Sequence, residues 1–115
     1  MAVLEAPDFA ALFQPGSLAE VPVVAELWDR TGRLHALTGQ IDRLVVGARD
    51  CVIVDYKSNR PPPMQPEHVD PSYLRQLAAY RAAISRIYPD KSIRCVILWS
   101  AVPKLMPIAD ALLDP

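Results

Sequence analysis

The sequence predicts a mixed α/β domain in which a central sheet is flanked by helices, in the order α-β-β-β-α-β. Residues 21–29, 34–46 and 51–57 are rich in β-branched and aliphatic side chains, which is typical of strands. Residues 71–88 carry apolar side chains at helical spacing, and residues 92–100 form a further apolar run. The chain of 115 residues has the usual length of one domain.

The N-terminal part of the chain is predicted to lie outside the sheet. Residues 7–14 have the pattern of a short helix, and the Pro-Gly pair at 15–16 is a turn signal that ends it. We therefore divide the single domain into an N-terminal helix and turn at 1–17 and a core at 18–110. Within the core, the Gly-Ala-Arg-Asp sequence at 47–50 predicts a turn between the second and third strands.

The second half of the chain contains a stiff connector and then the long helix. Residues 60–66 include three consecutive prolines, which fix the backbone and remove hydrogen-bond donors, so this segment is neither helix nor ladder. Asp70 is a preferred capping residue, and Pro71 suits the first helical turn. A short helical turn is predicted after Pro107. The predicted core face of the long helix consists of Leu74, Leu77, Ala78, Ile84 and Ile87.

Composition restricts the class of protein. No apolar run approaches the roughly 18–20 residues of a membrane span. Twelve Lys and Arg against 13 Asp and Glu give a net charge of −1, whereas a free-standing nucleic-acid binder is usually basic. The charge balance equally suits a domain that handles nucleic acid as part of a larger protein and a domain that binds no nucleic acid. Cys51 and Cys95 lack partners at metal or redox spacing, so we expect buried thiols in a cytoplasmic protein.

Two acids and a lysine lie on the predicted hairpin between the second and third strands. An antiparallel hairpin centred between Ala48 and Arg49 makes Asp42 and Asp55 cross-strand partners, with Cβ atoms roughly 4.5–5.5 Å apart. A sheet disfavours such a like-charge pair unless a cation lies between the carboxylates. Lys57 follows Asp55 by two positions, so strand alternation puts both side chains on one face.

This pattern predicts a metal-dependent phosphodiesterase site. The carboxylates of Asp42 and Asp55 and the backbone carbonyl of Tyr56 are the oxygen ligands that Mg²⁺ prefers, and Mn²⁺ can substitute. A nearby ammonium, here that of Lys57, orients water and stabilises charge on the phosphate. On spacing alone, a surface hairpin with an ordinary Asp-Lys pair explains the pattern equally well. The apolar run at 51–54 favours the site, because such a strand is covered on both faces and ends at a cleft.

The same residues resemble the PD-(D/E)XK nuclease superfamily. Within it, they resemble the RecB-like nuclease domains at the C-terminus of AddA and RecB, the helicase-nuclease subunits of bacterial double-strand-break repair. Asp42 matches the first acid of that family, and residues 55–57 (Asp-Tyr-Lys) match its (D/E)XK element. Gln76 and Tyr80 match the QxxxY element on the following helix. The resemblance covers about residues 18 to 110.

The resemblance implies a restriction-endonuclease-like fold and the function of a Mg²⁺-dependent DNA exonuclease module in an AddAB/RecBCD-type helicase-nuclease. Asp42, Asp55 and Lys57 would be catalytic, and Gln76 and Tyr80 would bind DNA or orient the site. The helicase portion of the same polypeptide and an AddB-type subunit would be the protein partners. The alternative for the helix pair is a solvated glutamine and an aromatic ring at the edge of the core.

Two features complicate this interpretation. Glu20 lies in a Glu-Val-Pro stretch like one in AddA proteins and is a further candidate ligand, although a solvated glutamate is more common. RecB-like nucleases also use a histidine well upstream of the first acid, to which neither His35 nor His68 corresponds. We therefore expect the chain to be a fragment of a longer helicase-nuclease. The alternatives are a catalytically silent scaffold for a partner subunit and a stand-alone RecB-like exonuclease.

Overall fold

Five strands and a long crossover helix form the part of the chain that the structure describes. The structure is a computed structural model that describes residues 17–59, 61–101 and 103–114, so the helix predicted at 7–14 lies outside the described residues. The strands are β1 (Ser17–Trp28), β2 (Leu34–Val46), β3 (Asp50–Lys57), β4 (Ser92–Trp99) and β5 (Lys104–Ile108). The helical segments are a 3₁₀ turn at Pro66–His68, α1 (Pro71–Ile87) and α2 (Asp110–Leu113).

The strands follow one another across the sheet in chain order, from β1 at one edge to β5 at the other. β3 and β4 are parallel, and the other three pairs are antiparallel. Parallel neighbours need a crossover connection. α1 belongs to that connection and packs across one face of the sheet, against β1, β3 and β4. This arrangement confirms the predicted α/β class and is compatible with a restriction-endonuclease-like fold.

The fifth strand was not predicted, and the last predicted strand ended at residue 100. β5 contains Pro107, which removes a ladder hydrogen bond and so obscures the strand pattern. Proline is tolerated on edge strands, and β5 is an edge strand. The opposite edge strand, β1, contains Pro22 and begins at Ser17, earlier than the predicted residue 21. The short helical turn predicted after Pro107 corresponds to α2.

The long helix begins as predicted. The side chain of Asp70 accepts a hydrogen bond from the backbone amide of Ser72 at 2.9 Å and caps the helix. Its core face differs from the prediction, because Tyr80 is buried whereas Ile87 is 63% exposed. Ile87 lies in the last turn of α1, beside the outer edge of β1, where it lines an open groove. None of the described helices is long and apolar enough to cross a membrane.

The core lies between α1 and one face of the sheet, with a smaller apolar cluster around Val54 on the opposite face. Cys51 and Cys95 are both buried and unbridged, as predicted for a pair of reduced thiols. Burial raises the pKa of Cys95 to about 12, so this thiol stays protonated and unreactive. The cysteines are therefore core residues.

Candidate functional site

The two predicted acids lie where β2 and β3 separate. Arg43 pairs with Val54, and continuing this antiparallel register places Asp42 opposite Asp55, as the sequence predicted. The ladder ends at the Arg43 and Val54 pair, so both acids lie just beyond it. The backbone amide of Tyr56 donates a hydrogen bond to Asp42 Oδ2 at 2.8 Å. The carboxylate of Asp42 thus takes the place of a backbone partner at the end of the ladder.

β1 and β2 are irregular where β2 and β3 separate. Ile41 and Leu44 both belong to the core cluster beneath α1, although strict alternation puts residues three apart on opposite faces. The β1 and β2 register places Glu20 opposite Asp42, and Glu20 has a positive φ of 54°. A left-handed conformation costs a residue with a Cβ roughly 1–2 kcal/mol. The regular alternation of both strands is thus interrupted beside Asp42.

Asp55 is a buried carboxylate held by a single cation. It is 5% exposed, and Lys57 Nζ lies 2.9 Å from its Oδ2. That contact is an ion pair, because Oδ2 accepts no well-aligned hydrogen bond from the described residues. Burial raises the pKa of Asp55, the Lys57 ammonium opposes this shift, and the neighbouring Asp42 carboxylate adds to it. Burial outweighs the ion pair, so the fold disfavours the charged form of this acid.

The ammonium of Lys57 has two further neighbours, both on α1. Gln76 Oε1 accepts a long hydrogen bond from Lys57 Nζ at 3.5 Å. The centroid of the Tyr73 ring lies 4.3 Å from the same nitrogen. The Tyr73 hydroxyl donates to Asn59 Oδ1 at 3.3 Å. No sequence motif includes Tyr73 or Asn59, although Tyr73 is three residues before Gln76 and therefore on a neighbouring part of the helix surface.

Tyr80 reaches β2 next to Asp42. Its hydroxyl donates to the backbone carbonyl of Gln40 at 3.2 Å and accepts from the Gln40 amide at 3.3 Å. Gln76 Nε2 also donates to this hydroxyl, at 3.3 Å. The adjacent Gly39 makes room for the ring, because a Cβ there would lie 2.6 Å from the hydroxyl oxygen. Tyr80 is buried, so this geometry favours the site-orienting role over direct contact with DNA, whereas Gln76 is exposed.

The donor set fits a hard divalent cation. Asp42 and Asp55 bring two carboxylates together, and the buried Asp55 Oδ2 lacks a well-aligned donor. Hard cations accept two carboxylates and complete their coordination with water. Across the described ranges, no group of three or more His, Cys, Asp or Glu side chains is placed to hold a metal. The site is therefore an open one, with the Tyr56 carbonyl as a further predicted ligand.

The remaining candidates from the sequence lie outside this pair. The Glu20 side chain is exposed, and only its backbone position opposite Asp42 connects it with the site. His35 Nε2 contacts Asp29 Oδ2 at 2.6 Å, close to the turn between β1 and β2. His68 ends the 3₁₀ turn before α1. His35 is therefore paired at the turn between β1 and β2, and His68 belongs to the connection before α1.

Two adjacent acids and a lysine lie where β2 and β3 separate, with the crossover helix above them, and such a set of side chains suits a divalent cation. The family model of the PD-(D/E)XK nuclease superfamily matches residues 5–104. The chain belongs to the PD-(D/E)XK nuclease superfamily. Its members are usually nucleases that use Mg²⁺ or another divalent metal.

The solved structures add a likeness of fold. The chain is similar to the protein described as SSO0001, with a TM-score of 0.54 and 12% sequence identity. The match covers 93% of this chain and 50% of the other, so this chain spans half the length of that protein. At this identity the likeness concerns the fold alone. No curated protein matches the sequence.

Proposed function

We propose that the chain is the Mg²⁺-dependent DNA exonuclease module of an AddAB/RecBCD-type helicase-nuclease. It would hydrolyse phosphodiesters of unwound strands during double-strand-break repair and recombination. The observation that carries this proposal is the meeting of Asp42, Asp55 and Lys57, with the ammonium 2.9 Å from the buried carboxylate. Membership of the nuclease superfamily and the Gln76 and Tyr80 pair on α1 support it.

In this mechanism Asp42, Asp55 and the Tyr56 carbonyl would hold the cation. When bound, the cation polarises the phosphoryl oxygen and lowers the pKa of a bound water. The hydrogen bond from the Tyr56 amide fixes Asp42 Oδ2 and so orients the whole carboxylate. Lys57 orients the attacking water and stabilises the charge that develops on the phosphate. The burial of Asp55 strengthens these electrostatic contacts, because they act in a region of low dielectric.

The helix α1 has two functions in this proposal. The exposed Gln76 is placed to hydrogen-bond a phosphate oxygen beside Lys57. Tyr80 holds the backbone of Gln40 and thereby fixes the segment of β2 that leads into Asp42. Delivery of the strand by the helicase portion of the polypeptide, with an AddB-type subunit as partner, explains why a domain of net charge −1 suffices.

The second candidate is a catalytically silent copy of the fold that acts as a scaffold for a partner subunit. The observation that favours it is the small number of ligands, because the described residues contain no third acid or histidine grouped with Asp42 and Asp55. A silent copy would retain the fold and the contacts between α1 and β2 but would bind no divalent metal. Metal binding therefore separates the two proposals.

The test is calorimetric titration of the chain with Mn²⁺ and Mg²⁺, followed by cleavage assays on single-stranded DNA. We expect binding that Asp55→Ala abolishes, whereas Asp29→Ala, an exposed aspartate of the β1 and β2 turn, leaves binding intact. Equal binding by the wild type and the Asp42→Ala/Asp55→Ala double variant would contradict the proposed site. Metal binding without cleavage, also in an N-terminally extended chain, would favour the scaffold. Strong cleavage by these 115 residues alone would favour a stand-alone exonuclease.

A further inference from the structure

We infer that Tyr73 is a positioning residue for Lys57. Its ring provides a second position for the Lys57 ammonium when a divalent cation binds Asp55. This inference rests on the proposed function. In the structure, the nitrogen is 2.9 Å from Asp55 Oδ2, 3.5 Å from Gln76 Oε1 and 4.3 Å from the centroid of the Tyr73 ring. Three groups of different chemistry therefore surround one ammonium.

One of these three groups is also needed by the cation. A carboxylate oxygen that ligates a metal is a poorer partner for an ammonium, and the two positive charges repel each other. Metal binding at Asp55 therefore displaces Lys57 from Oδ2. The side chain of Lys57 is only 19% exposed, so water alone cannot replace the lost carboxylate. The Tyr73 ring face and the Gln76 amide oxygen are the partners that remain.

Tyr73 is well placed for this role because it is itself fixed at both ends. Its backbone belongs to the first turns of α1, after the Asp70 cap. Its hydroxyl donates to Asn59, in the segment that follows β3. The ring is thus tied to the helix and to the strand end that carries Lys57. An aromatic face attracts an ammonium without competing for the metal, which makes it a suitable second position.

The same helix offers a matched control at its other end. Lys91 Nζ lies 5.9 Å from the centroid of the Tyr88 ring, just beyond the C-terminal end of α1. Lys91 also donates to the backbone carbonyls of Gly47 and Ala48, in the turn at the opposite end of the β2 and β3 hairpin from both acids. Tyr88→Leu therefore removes an aromatic ring beside a lysine without touching the site.

The first experiment needs no metal. The side-chain ε-methylene resonance of Lys57 is followed by NMR in the wild type and in Tyr73→Leu, Tyr73→Phe and Tyr88→Leu. We expect the ring current of Tyr73 to shift this resonance upfield in the wild type and in Tyr73→Phe. The shift should vanish in Tyr73→Leu and persist in Tyr88→Leu. An unchanged Lys57 resonance in Tyr73→Leu would overturn the inference.

The second experiment measures Mn²⁺ affinity by calorimetry. Loss of the ring leaves the ammonium on Asp55, so Tyr73→Leu should weaken binding by about three- to tenfold, the range expected for a partly desolvated cation and aromatic pair. Tyr73→Phe should restore the affinity, and Tyr88→Leu should not alter it. In a Lys57→Met background, Tyr73→Leu should have no effect, since there is no ammonium to place.

Two results distinguish failure of this inference from failure of the proposed function. An equal loss of affinity in the Lys57→Met background would mean that Tyr73 acts only on the fold, and the inference would be wrong. Thermal melting of each variant checks this directly. A wild type that binds no metal would contradict the proposed function instead. The NMR comparison would then still decide whether Tyr73 holds the Lys57 ammonium.

Discussion

Asp29 and Asp55 are aspartates in opposite electrostatic environments. Asp29, in the turn between β1 and β2, accepts hydrogen bonds from the Thr31 hydroxyl, the Thr31 amide and the Arg33 amide, and it contacts His35. The Thr31 hydroxyl and His35 contribute most to lowering the pKa of Asp29 well below its usual range. Asp55 is buried, has one close cation, and has a raised pKa because burial dominates.

The charged form of Asp29 therefore stabilises the folded state, whereas the charged form of Asp55 destabilises it. A lowered pKa in the folded state means that the charged form is favoured by folding, whereas a raised pKa means that it is disfavoured. The turn at Asp29 is closed by its own carboxylate. In its charged form the Asp55 carboxylate has too few partners, which is the property expected of a group that acts on a ligand. Strained or under-satisfied groups of this kind concentrate at functional sites.

The largest expected effect concerns catalysis and the lysine beside Asp55. Lys57→Ala should lower cleavage of single-stranded DNA by about 10²-fold or more, because it removes an electrostatic group that acts in the transition state. The measurement is kcat/KM on a labelled strand, in the full helicase-nuclease if the domain alone is inactive, where ATP-driven unwinding should persist. His35→Ala, which removes the side chain beside Asp29, should leave cleavage near the wild-type rate. Retained cleavage in Lys57→Ala would assign this role to another residue.

The next effect compares two glycines on either side of His35. Gly39→Ala forces a Cβ to within 2.6 Å of the Tyr80 hydroxyl and should destabilise the fold by about 1–3 kcal/mol, as overpacking does. Gly32 in the turn has a positive φ of 79° and open space around it, so Gly32→Ala should cost only about 1 kcal/mol of backbone strain. Denaturant unfolding measures both changes.

Only one of these two glycine variants should alter the site. Gly39→Ala displaces Tyr80 from Gln40 and should weaken Mn²⁺ binding, whereas Gly32→Ala should leave the Mn²⁺ affinity unchanged. Tyr80→Phe, which removes the hydroxyl but keeps the ring, should weaken binding in the same direction as Gly39→Ala. If Gly32→Ala weakened metal binding as strongly as Gly39→Ala, the turn between β1 and β2 would be coupled to the metal site.

The smallest effect is on thermal stability and its dependence on pH. Without metal at pH 7, Asp55→Asn should raise Tm by a few degrees because it removes a disfavoured charge, whereas Asp29→Asn should lower Tm. The wild type should lose stability relative to Asp55→Asn as the pH rises from about 4, the unfolded pKa of Asp, through the raised folded pKa of Asp55. For Asp29 the stabilisation is present above about pH 4 and declines as the pH falls below it.

Scanning calorimetry between pH 3 and pH 8 measures these changes. With Mn²⁺ added, the wild type should have a higher Tm than Asp55→Asn. A cation that binds only the folded wild type raises the Tm of that protein and has no effect on Asp55→Asn. A lower Tm for Asp55→Asn without metal would mean that the ion pair with Lys57 outweighs burial.

The local parts of this architecture were predictable from sequence. The turn at 47–50 fixes the hairpin register, so the meeting of Asp42 and Asp55 followed from local spacing. The cap at Asp70 is likewise a local signal. The buried Tyr80 hydroxyl binds Gln40, which is distant in the chain. The contact between Lys57 and the Tyr73 ring also joins residues that are not neighbours in the sequence. Such tertiary contacts leave no periodic signal in the sequence.

The two edge strands were also only partly predictable from the sequence. Pro107 interrupts the pattern that identifies a strand, and only the position of β5 at the sheet edge makes that proline acceptable. The positive φ of Glu20 is not a conformation that glutamate prefers, so the sequence does not predict it. The sequence therefore predicted that Asp42, Asp55 and Lys57 lie together, whereas their supporting contacts required the structure.

The parallel pairing of β3 and β4 has a consequence for how the chain reaches its native state. β4 can join β3 only after the whole segment between them, including α1, has closed over the sheet. Closing so long a loop is slow compared with forming the β2 and β3 hairpin. The two acids therefore meet early, whereas Lys57 gains Tyr73 and Gln76 only when the crossover is complete. A chain that emerges slowly during synthesis would thus hold its two acids together before Lys57 gains its neighbours on the helix.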